Sequence, residues 1–349
     1  MVTMYDVAKR AELSVGTVSR YVNDSGYVGA ASREKIRRAI AELGFVPSTA
    51  ARSLTTKMSG LIGFVASDLT NPFTAELAQG LQERASHQGY CVVTSSTDGD
   101  EQRTLEALTV LESHQVDGLV VTPPETPAIN DHLVTAARKG TPIVLIGMEL
   151  DPPVADRVTT DTYQGARLAV EHLLELGHRR IAYVGARSQA KGRRRAYADT
   201  LRAAGISGDK DLIAVRALNR QGGVSAGSTL LDLSDPPTAV FAANDSVALG
   251  VVQAAYRRKL RVPDDVSVVG FDDTDLAEHA IPPLTTVAQP KLQMGHEAIS
   301  LLFHRIKGTG PDRIVERRLT CELVVRDSTA PAAASRRRRA QRSRRFQRS

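Results

Sequence analysis

Few residues of this sequence have the type and spacing that covalent chemistry requires. Residues 223–227, GVSAG, fit the G-x-S-x-G pattern of a nucleophilic serine. Such a serine must lie at a sharp turn directly after a strand, whereas the stretch around Ser225 has the pattern of a helix. A hydrolase that uses Ser225 is therefore the less favoured alternative, and loss of esterase turnover in Ser225→Ala would support it.

Metal and nucleotide chemistry have no support in the residue pattern. The eight histidines are scattered without the spacing of metal ligands, and no G-x-x-x-x-G-K-S/T phosphate-binding motif occurs. Cys91 and Cys321 are far apart and have no neighbouring Cys or His at ligand spacing, so we expect two ordinary buried thiols. The sequence thus predicts no catalytic residue, no metal and no cofactor.

Charge is unevenly distributed along the 349 residues. The formal net charge is +6, but residues 335–349 contain eight arginines and no acid, so the rest of the chain is slightly acidic. Residues 1–59 contain nine basic and five acidic side chains. A basic module at one end of an acidic body is expected if only that end binds phosphates.

Membrane insertion and export are not indicated. No apolar run approaches the length of a membrane span, and the first residues, MVTMYDVAKRAEL, place charges where a secretory signal needs an apolar stretch. We therefore expect a cytoplasmic, nucleoid-associated protein without a membrane partner. An exported solute-binding protein is the second alternative, and secretion of the native chain would favour it.

The N-terminal residues 3–43 have the pattern of three short helices. Thr3 and Asp6 have the spacing of a capping pair before the first helix, and Ser14 can cap the second. The third helix has one apolar face and stops at Gly44. We predict a small all-α module.

From Gly60 onward, short β-rich runs alternate with helical stretches. The runs are LIGFVAS, CVVTSS, GLVVTPP, PIVLIGM, RIAYVGA, LIAVRAL, AVFAAND and VSVVGFDD. This alternation is typical of βαβ units with parallel sheets. Eight runs are many for one open sheet, and two similar halves meet near Asp161. We therefore predict two doubly wound lobes with a ligand-binding cleft between them.

Several phrases, in the same order, resemble the LacI/GalR family of bacterial repressors. They are YDVAKRAELSVGTVSRYVN, SREKIRRAIAELGFVPSTAARSL, TNPF at 70–73, VDGLVV, FAANDSVALG, VSVVGFDD and PPLTTV. The resemblance implies an all-α helix-turn-helix headpiece, a hinge helix, and an α/β periplasmic-binding-protein-like body of two doubly wound parallel-sheet lobes. We place these units at residues 1–46, 47–59 and 60–328.

The family resemblance also implies a function. It predicts a homodimeric transcriptional repressor that binds a pseudopalindromic operator in double-stranded DNA. A small-molecule effector in the cleft between the lobes would control DNA affinity, and both directions of control, by an inducer or by a corepressor, stay open.

By the same resemblance, the second helix would read the major groove. Val15 and Gly16 match the base-discriminating positions, and Arg20 matches a residue that contacts guanine. Arg20 has two donors suited to guanine O6 and N7, whereas Val15 offers only apolar contact and Gly16 offers almost none. The alternative is a solvated surface arginine. The predicted DNA-binding residues are Thr3, Tyr5, Val15, Gly16, Thr17, Ser19, Arg20, Ala51 and Leu54, with Thr17 and Ser19 on phosphates.

The hinge segment from Pro47 to Leu54 has good helix formers but is too short to stay helical alone in water. The resemblance implies that two such hinge helices, one per subunit, fold together in the minor groove. Leu54 matches the leucine that is inserted between base pairs, and Ala50 and Ala51 are small enough for close approach. The alternative is an inert linker with an exposed leucine.

Family effector contacts match Phe73 and Thr74 after the first strand, and Asn244 and Asp272 after later strands. These positions lie at carboxyl ends of strands, where open α/β sheets bind ligands. An aromatic ring, an amide and a carboxylate, together with a guanidinium, suit a polyol or a nucleoside. The alternative is that they are loop or capping residues, as Asn244 would be for the following helix.

The guanidinium is expected from Arg193, which fits the family's R-x-x-G-aromatic phrase with Ala196 in place of glycine. Arg187 is a further candidate. Gly147 departs from the family pattern, because sugar-responsive members often have Asp after the fourth strand. Without that carboxylate some ligand hydroxyls lack an acceptor, so a plain hexose fits less well.

Residues 329–349 lie outside the resemblance and contain almost no apolar side chains, so we expect a disordered Arg-rich tail. The run 336–339 either adds non-specific DNA affinity through counterion release or is a solvated appendage. The tail has no leucine heptad of the kind that joins some family members into tetramers, which favours a homodimer.

Overall fold

The computed structural model describes residues 2–23, 25–45, 58–122, 126–147, 152–186 and 192–332. The predictions for Ala51, Leu54, Arg187 and the arginine run 336–339 lie outside these residues.

Three helices form the headpiece around a small apolar core. They are α1 (Met4–Ala11), α2 (Val15–Val22) and α3 (Ala30–Leu43). Val7, Val18 and Ile36 are fully buried in this core. The predicted all-α module is therefore confirmed.

The predicted helix ends are confirmed as well. Thr3 and Asp6 form a reciprocal capping box, and Ser14 Oγ accepts a hydrogen bond from Thr17 N at 3.2 Å. Gly44 ends α3 in the left-handed conformation, with φ of 62°, which a residue with a Cβ adopts less easily.

The body follows with alternating strands and helices. The strands are β1 (Leu61–Ala66), β2 (Cys91–Ser96), β3 (Gly118–Thr122), β4 (Ile143–Ile146), β5 (Asp156–Thr160), β6 (Ile181–Gly185), β7 (Ile213–Val215), β8 (Ala239–Ala242), β9 (Ser267–Val269), β10 (Thr286–Ala288), β11 (Glu316–Leu319) and β12 (Glu322–Val324). The helices are α4 (Pro72–Ser86), α5 (Glu101–Ser113), α6 (Pro127–Arg138), α7 (Thr162–Glu175), α8 (Arg193–Ala203), α9 (Arg220–Leu231), α10 (Asp245–Arg257), α11 (Asp275–Glu278) and α12 (Lys291–Ile306).

Two parallel sheets define the two lobes. The first lobe has the order β11-β5-β4-β3-β1-β2 and the second has β7-β6-β8-β9, with parallel pairing throughout both sheets. Strands β10 and β12 form a separate antiparallel pair. Helices pack on these sheets, so the prediction of two doubly wound lobes is confirmed.

All eight predicted runs contain a strand, but β5, β10, β11 and β12 were not predicted. The reason is clearest for β11, whose sequence ERRL is mostly exposed at the edge of the first sheet. Its neighbour β5 carries Arg157, which pairs with Glu316 across the strands at 2.7 Å. Neither strand has the apolar run by which buried strands are found in a sequence.

The lobes are not successive halves of the chain, so the expected boundary near Asp161 is only partly correct. The chain enters the second lobe at Asp161, returns between β10 and α12, and crosses again between β11 and β12. Helix α12 buries Met294, Ile299 and Leu302 against the first sheet. The first lobe therefore needs a helix and a strand from the far end of the sequence to complete its core.

Two further expectations are wrong in part. Cys321 is buried, but Cys91 is exposed because β2 is the edge strand of the first sheet. Residues 329–332 are not a disordered tail: Ala330 O accepts from His178 Nε2 at 3.0 Å, and Ala332 N donates to Leu176 O at 2.9 Å. These small residues are held through their backbone groups, which hydropathy does not reveal.

Ser225 lies within α9, several residues from either end, and not at a turn after a strand. The helical interpretation of this stretch is confirmed. Within the described ranges, no helix has both the length and the apolar character of a membrane span.

Candidate functional site: the DNA-reading helix and the interlobe cavity

Helix α2 exposes the side chains expected to read DNA. Val15 is 40% exposed, and Gly16 and Arg20 are also exposed, whereas Val18 on the opposite face is fully buried in the headpiece core. Tyr5 of α1 is 68% exposed. The amphipathic pattern of α2 thus fixes which face packs and which face is free to bind.

Arg20 lies back along its own helix. Its Nε donates to Gly16 O at 3.3 Å, and within the described headpiece no carboxylate pairs with it. Arg10, Arg37 and Arg38, in contrast, each form an ion pair with a glutamate. Arg20 therefore offers a cationic fork that DNA can engage without first breaking a salt bridge.

The other predicted DNA contacts also serve the local structure. Thr3 is the cap of α1, and the Thr17 hydroxyl lies 2.9 Å from Ser14 Oγ. Ser19 Oγ accepts from Asn23 Nδ2 at 3.2 Å. These hydroxyls are oriented by the fold. The Ser19 hydroxyl accepts here and can still donate its hydrogen to a phosphate oxygen, whereas the Thr3 hydroxyl donates to Asp6 Oδ2 at 2.7 Å and would have to leave that acceptor to bind a phosphate.

Sequence reasoning missed the loop after α2. Tyr27 is 88% exposed, and a Cβ at Gly26 would lie 3.3 Å from Arg20 Cδ. Gly26 therefore leaves room for the Arg20 side chain, and Tyr27 adds an aromatic ring close to it in sequence. An aromatic residue in a loop rich in Ser and Gly was the available signal.

A cavity of about 1240 Å³ lies between the lobes. Five predicted effector residues line it: Phe73, Thr74, Arg193, Asn244 and Asp272. They come from the carboxyl ends of strands or the start of the following helix, as open α/β sheets require. The structure thus brings together side chains that are up to 199 residues apart.

Phe73 and Thr74 belong to the first turn of α4. Asn71 caps this helix by accepting from Phe73 N at 3.1 Å, and Pro72 occupies the first helical position. Thr74 is buried and Phe73 is half-buried against the first core. The cap therefore fixes a ring and a hydroxyl at the cavity wall.

Arg193 is the central cation of the cavity. Its guanidinium lies 3.9 Å from the Phe271 ring centroid, donates to Ala243 O at 2.8 Å, and is 3.6 Å from Asp272 Oδ1. Stacking and pairing hold this planar group in place although it is buried. The cavity consequently contains a neutralised guanidinium–carboxylate pair, which suits hydroxyl groups better than it suits a free charge.

Asn244 combines the two roles that sequence reasoning left open. Its Oδ1 accepts from Val247 N at 2.8 Å as the cap of α10, and its Nδ2 donates to Leu218 O at 3.1 Å. The side chain also lines the cavity. Capping therefore orients the amide and leaves part of its hydrogen-bonding capacity for a ligand.

Gln289 is a cavity residue that sequence reasoning missed. Its Nε2 donates to Asp272 Oδ1 at 2.7 Å, and its Oε1 accepts from the Thr160 hydroxyl. Thr160 and Gln289 lie at two of the three crossings between the lobes. The PPLTTV phrase ends at Val287, two residues before Gln289, and it carries no side chain that indicates ligand binding.

Two buried carboxyl groups interact electrostatically: Asp272, which lines the cavity, and Asp245, the first residue of α10. Burial and the neighbouring Asp272 charge raise the pKa of Asp245 to about 7. Burial also raises the pKa of Asp272 to about 6, although Arg193 opposes the shift. Asp245 accepts hydrogen bonds from Thr274 N at 2.7 Å and from Thr286 Oγ1 at 2.5 Å.

Gly147 lines the cavity at φ of 73°, and no atom lies within 4 Å of the position that a Cβ would take. The wall is therefore open at the position where, by the family resemblance, sugar-responsive members often have an Asp carboxylate. Some ligand hydroxyls at this wall would have to bind water or other side chains.

Comparison with known proteins decides the family. A family model described as "Bacterial regulatory proteins, lacI family" matches residues 3–48, and one described as "Periplasmic binding protein-like domain" matches residues 170–329. The HTH-type transcriptional regulator DegA of Bacillus subtilis is 38% identical over 335 residues, covering 94% of this chain and 98% of DegA. The chain belongs to the LacI family of bacterial regulatory proteins. It is a sequence-specific DNA-binding regulator of transcription.

Two solved structures resemble this LacI-family regulator along nearly its whole length. The transcriptional regulator CelR in complex with cellobiose is 33% identical, with a TM-score of 0.71 over 94% of this chain and 100% of that chain. The lac repressor dimer bound to operator and the anti-inducer ONPF is 31% identical, with a TM-score of 0.83 over 94% and 99%.

The paired carboxyl groups predict a pH dependence of stability. A raised native pKa means that the folded state holds protons which the unfolded chain releases near pH 4, so stability falls as pH rises from about 4 to about 7. Asp245→Asn removes one titrating group and should reduce the loss of unfolding free energy between about pH 5 and about pH 8, measured by urea denaturation.

Asp232→Asn is the matched control. Arg258 lowers the pKa of this exposed carboxyl, so it titrates below the range tested and its variant should keep the wild-type pH dependence. If the unfolding free energy of wild type and Asp245→Asn changed equally with pH, the raised pKa of Asp245 would be contradicted.

Proposed function

We propose that this LacI-family regulator is a homodimeric repressor that binds a pseudopalindromic operator. A polyhydroxylated small molecule, a sugar or nucleoside, binds in the interlobe cavity and sets the affinity for that operator. The observation that carries the proposal is the Arg193–Asp272 pair, which lines the cavity beside an aromatic ring and an oriented amide. The relatives with bound cellobiose and with operator support both halves of the proposal.

The DNA-reading roles follow from side-chain chemistry. Arg20 donates two hydrogen bonds to a guanine, while Val15 contacts a thymine methyl and Gly16 allows close approach. Thr3, Tyr5, Thr17 and Ser19 hold the phosphate backbone, which sets the register without reading sequence. Because only one fork reads a base directly, specificity also depends on the shape of the operator.

The hinge supplies that shape-dependent reading. Leu54, which lies outside the described residues, inserts at the central base step, and Ala51 lets the two hinge helices approach closely. An inserted apolar side chain kinks the duplex and favours steps that unstack easily. The hinge helices are too short to fold alone, so their order depends on how the two bodies are spaced.

The effector-binding roles follow from the cavity wall. Asp272 accepts from ligand hydroxyls, Arg193 and Asn244 donate to them, and the Phe73 ring covers an apolar face of the ligand. Thr74 and Arg187, the latter outside the described residues, complete the set. Bound hydroxyls replace water at groups that would otherwise be desolvated without partners when the lobes close.

Binding to DNA and binding to effector are coupled through the lobes. A ligand that contacts both lobes favours one arrangement of them, and this arrangement sets the spacing of the two hinges in the dimer. The coupling free energy is the same in both directions. Whether the effector lowers or raises the affinity for DNA depends on which arrangement of the lobes brings the two hinge helices together.

A hydrolytic role through Ser225 is not part of this proposal. This serine lies inside α9 and not at the sharp turn after a strand that a nucleophilic serine of this pattern requires. We place the regulator in the cytoplasm, where the nucleoid is accessible to it.

The effector site is tested by ligand-dependent stability. Sugars and nucleosides, with cellobiose and ribose among them, are screened for a rise in thermal midpoint, since a ligand that binds only the folded state must stabilise it. Asp272→Asn and Arg193→Met should each weaken the best ligand by about tenfold or more, because each leaves a buried partner unpaired.

Ser225→Ala serves as the control, since Ser225 is exposed on a helix outside the cavity. It should leave the ligand-induced rise in thermal midpoint unchanged. Any esterase turnover of the purified protein should be the same in this variant as in wild type. If no sugar or nucleoside shifts the midpoint, the proposed effector class is wrong.

The DNA-reading roles are tested on an operator selected from random duplexes. Arg20→Ala should cost about 1–3 kcal/mol of specific binding, the range for one bidentate base contact. Leu54→Ser should weaken operator binding far more than binding to random duplex, because wedge insertion needs the ordered dimeric hinge. Fluorescence anisotropy at fixed salt measures both.

Arg38→Ala is the matched control, because this exposed arginine already pairs with Glu34 at 3.2 Å and lies on α3. It should change specific and non-specific binding alike and only slightly. An equal loss on operator and random duplex in Leu54→Ser would rule out the wedge.

A further inference from the structure

The loop that carries Asp272 has a strained backbone. Asp272 has φ of 110° and Asp273 has φ of 53°, so two consecutive non-glycine residues adopt conformations that cost free energy. Such strain persists only where the surroundings hold it in place. The contacts of this loop therefore decide where the Asp272 carboxylate stands in the cavity.

Lys291 holds the outer side of this loop. Its Nζ donates to Asp272 O at 2.8 Å and to Asp273 O at 2.6 Å, and lies 3.3 Å from Glu76 Oε2. All three ammonium hydrogens thus have an acceptor. The two carbonyls belong to the second lobe, while Glu76 belongs to α4 of the first lobe.

The position of Lys291 is unfavourable for a lysine in two respects. The side chain is only 7% exposed, so its charge is largely desolvated. It is also the first residue of α12, where the helix dipole disfavours a cation. Its fit to the two carbonyls and the glutamate is the compensating interaction.

The first-lobe end of this contact is rigid. Helices α4 and α12 pack backbone to backbone: a Cβ on Gly80 would clash with the Leu292 carbonyl, and one on Gly295 would lie 2.6 Å from Leu81 N. Lys291 is therefore anchored to the helix that carries Phe73 and Thr74. A movement of the loop relative to the first lobe has to displace the ammonium from one of its acceptors.

We propose that Lys291 is a positioning residue of the effector site, which holds the strained Asp272–Asp273 loop against Glu76 of the opposite lobe. It sets the place of the Asp272 carboxylate and transmits displacement of that loop to α4 and α12. The inference rests on the proposed function insofar as Asp272 contacts the effector.

Hydrogen exchange in the full-length, ligand-free chain tests the positioning role. The amides of Asp272 and Thr274 donate to Val287 O at 2.8 Å and to Asp245 Oδ2 at 2.7 Å, so their exchange reports loop opening. Lys291→Met should speed this exchange by about tenfold or more, the factor for losing a charge-assisted hydrogen bond. Exchange in the β1 and β8 peptides should stay at wild-type rates.

Lys307→Met, at the other end of α12, is the control, because Lys307 is exposed and contacts only Gln88 and the Phe303 ring among the described residues. It should leave loop exchange unchanged. Lys291→Arg, which keeps charge and donors, should restore most of the protection. Faster exchange spread over the whole second lobe, or no rescue by arginine, would overturn the positioning role in favour of general stability.

Glu76→Gln keeps the proposal falsifiable if Lys291→Met does not fold. It removes only the anion in the first lobe and should speed loop exchange measurably but less than Lys291→Met. Exchange equal to that of Lys307→Met would overturn the link between the lobes.

Cellobiose is the ligand probe for the second part of the proposal. Titrated into wild type, Lys291→Met and Lys291→Arg, it should bind more weakly to Lys291→Met by a few-fold, since a displaced loop moves Asp272, and Lys291→Arg should recover most of the affinity. Equal cellobiose affinities of wild type and Lys291→Met would overturn the role of Lys291 in placing the Asp272 carboxylate. Absence of binding by wild type to every sugar and nucleoside counts against the proposed effector class, and leaves the exchange result to decide the positioning role.

Discussion

The rest of the structure depends on three crossings of the chain between the lobes and on the hydrogen bonds that join them. Asp161 N donates to Leu319 O at 3.0 Å, and the Thr160 hydroxyl donates to Gln289 Oε1. Gln289 then reaches Asp272 at 2.7 Å. The crossings between the lobes and the Asp272 carboxylate, which we propose contacts the effector, are therefore parts of one hydrogen-bond network.

Charged groups in and around the cavity wall are buried at a cost in folding free energy. Arg193 and Asp272 are buried in the wall, Asp245 and Lys291 are buried outside it, and Asp272 has a strained backbone conformation. Arg193 faces Asp272, Lys291 faces two carbonyls and Glu76, and Asp245 accepts hydrogen bonds from Thr274 and Thr286. Groups held so firmly can bind hydroxyls without reorganising, which is the property that a selective small-molecule site requires.

Sequence reasoning found the parts of the fold that periodicity encodes. Helix caps at Thr3 and Ser14, and buried strands such as β1 and β8, follow from local patterns. It missed β5 and β11, whose exposed charged residues carry no apolar signature. It also missed Gln289 and Lys291, because their partners are distant in sequence and no local pattern reveals contacts between lobes. Phe73, Arg193 and Asp272 came from a family resemblance, which identifies positions but not their hydrogen bonds.

The central claim is that contacts through the protein couple the cavity to the operator, so that binding at either site changes the binding free energy at the other. The most direct test measures operator affinity with and without saturating effector, and effector affinity with and without operator. The account predicts that both ratios differ from one and are equal, as linkage requires. Operator affinity that is the same with an empty and a filled cavity would contradict it.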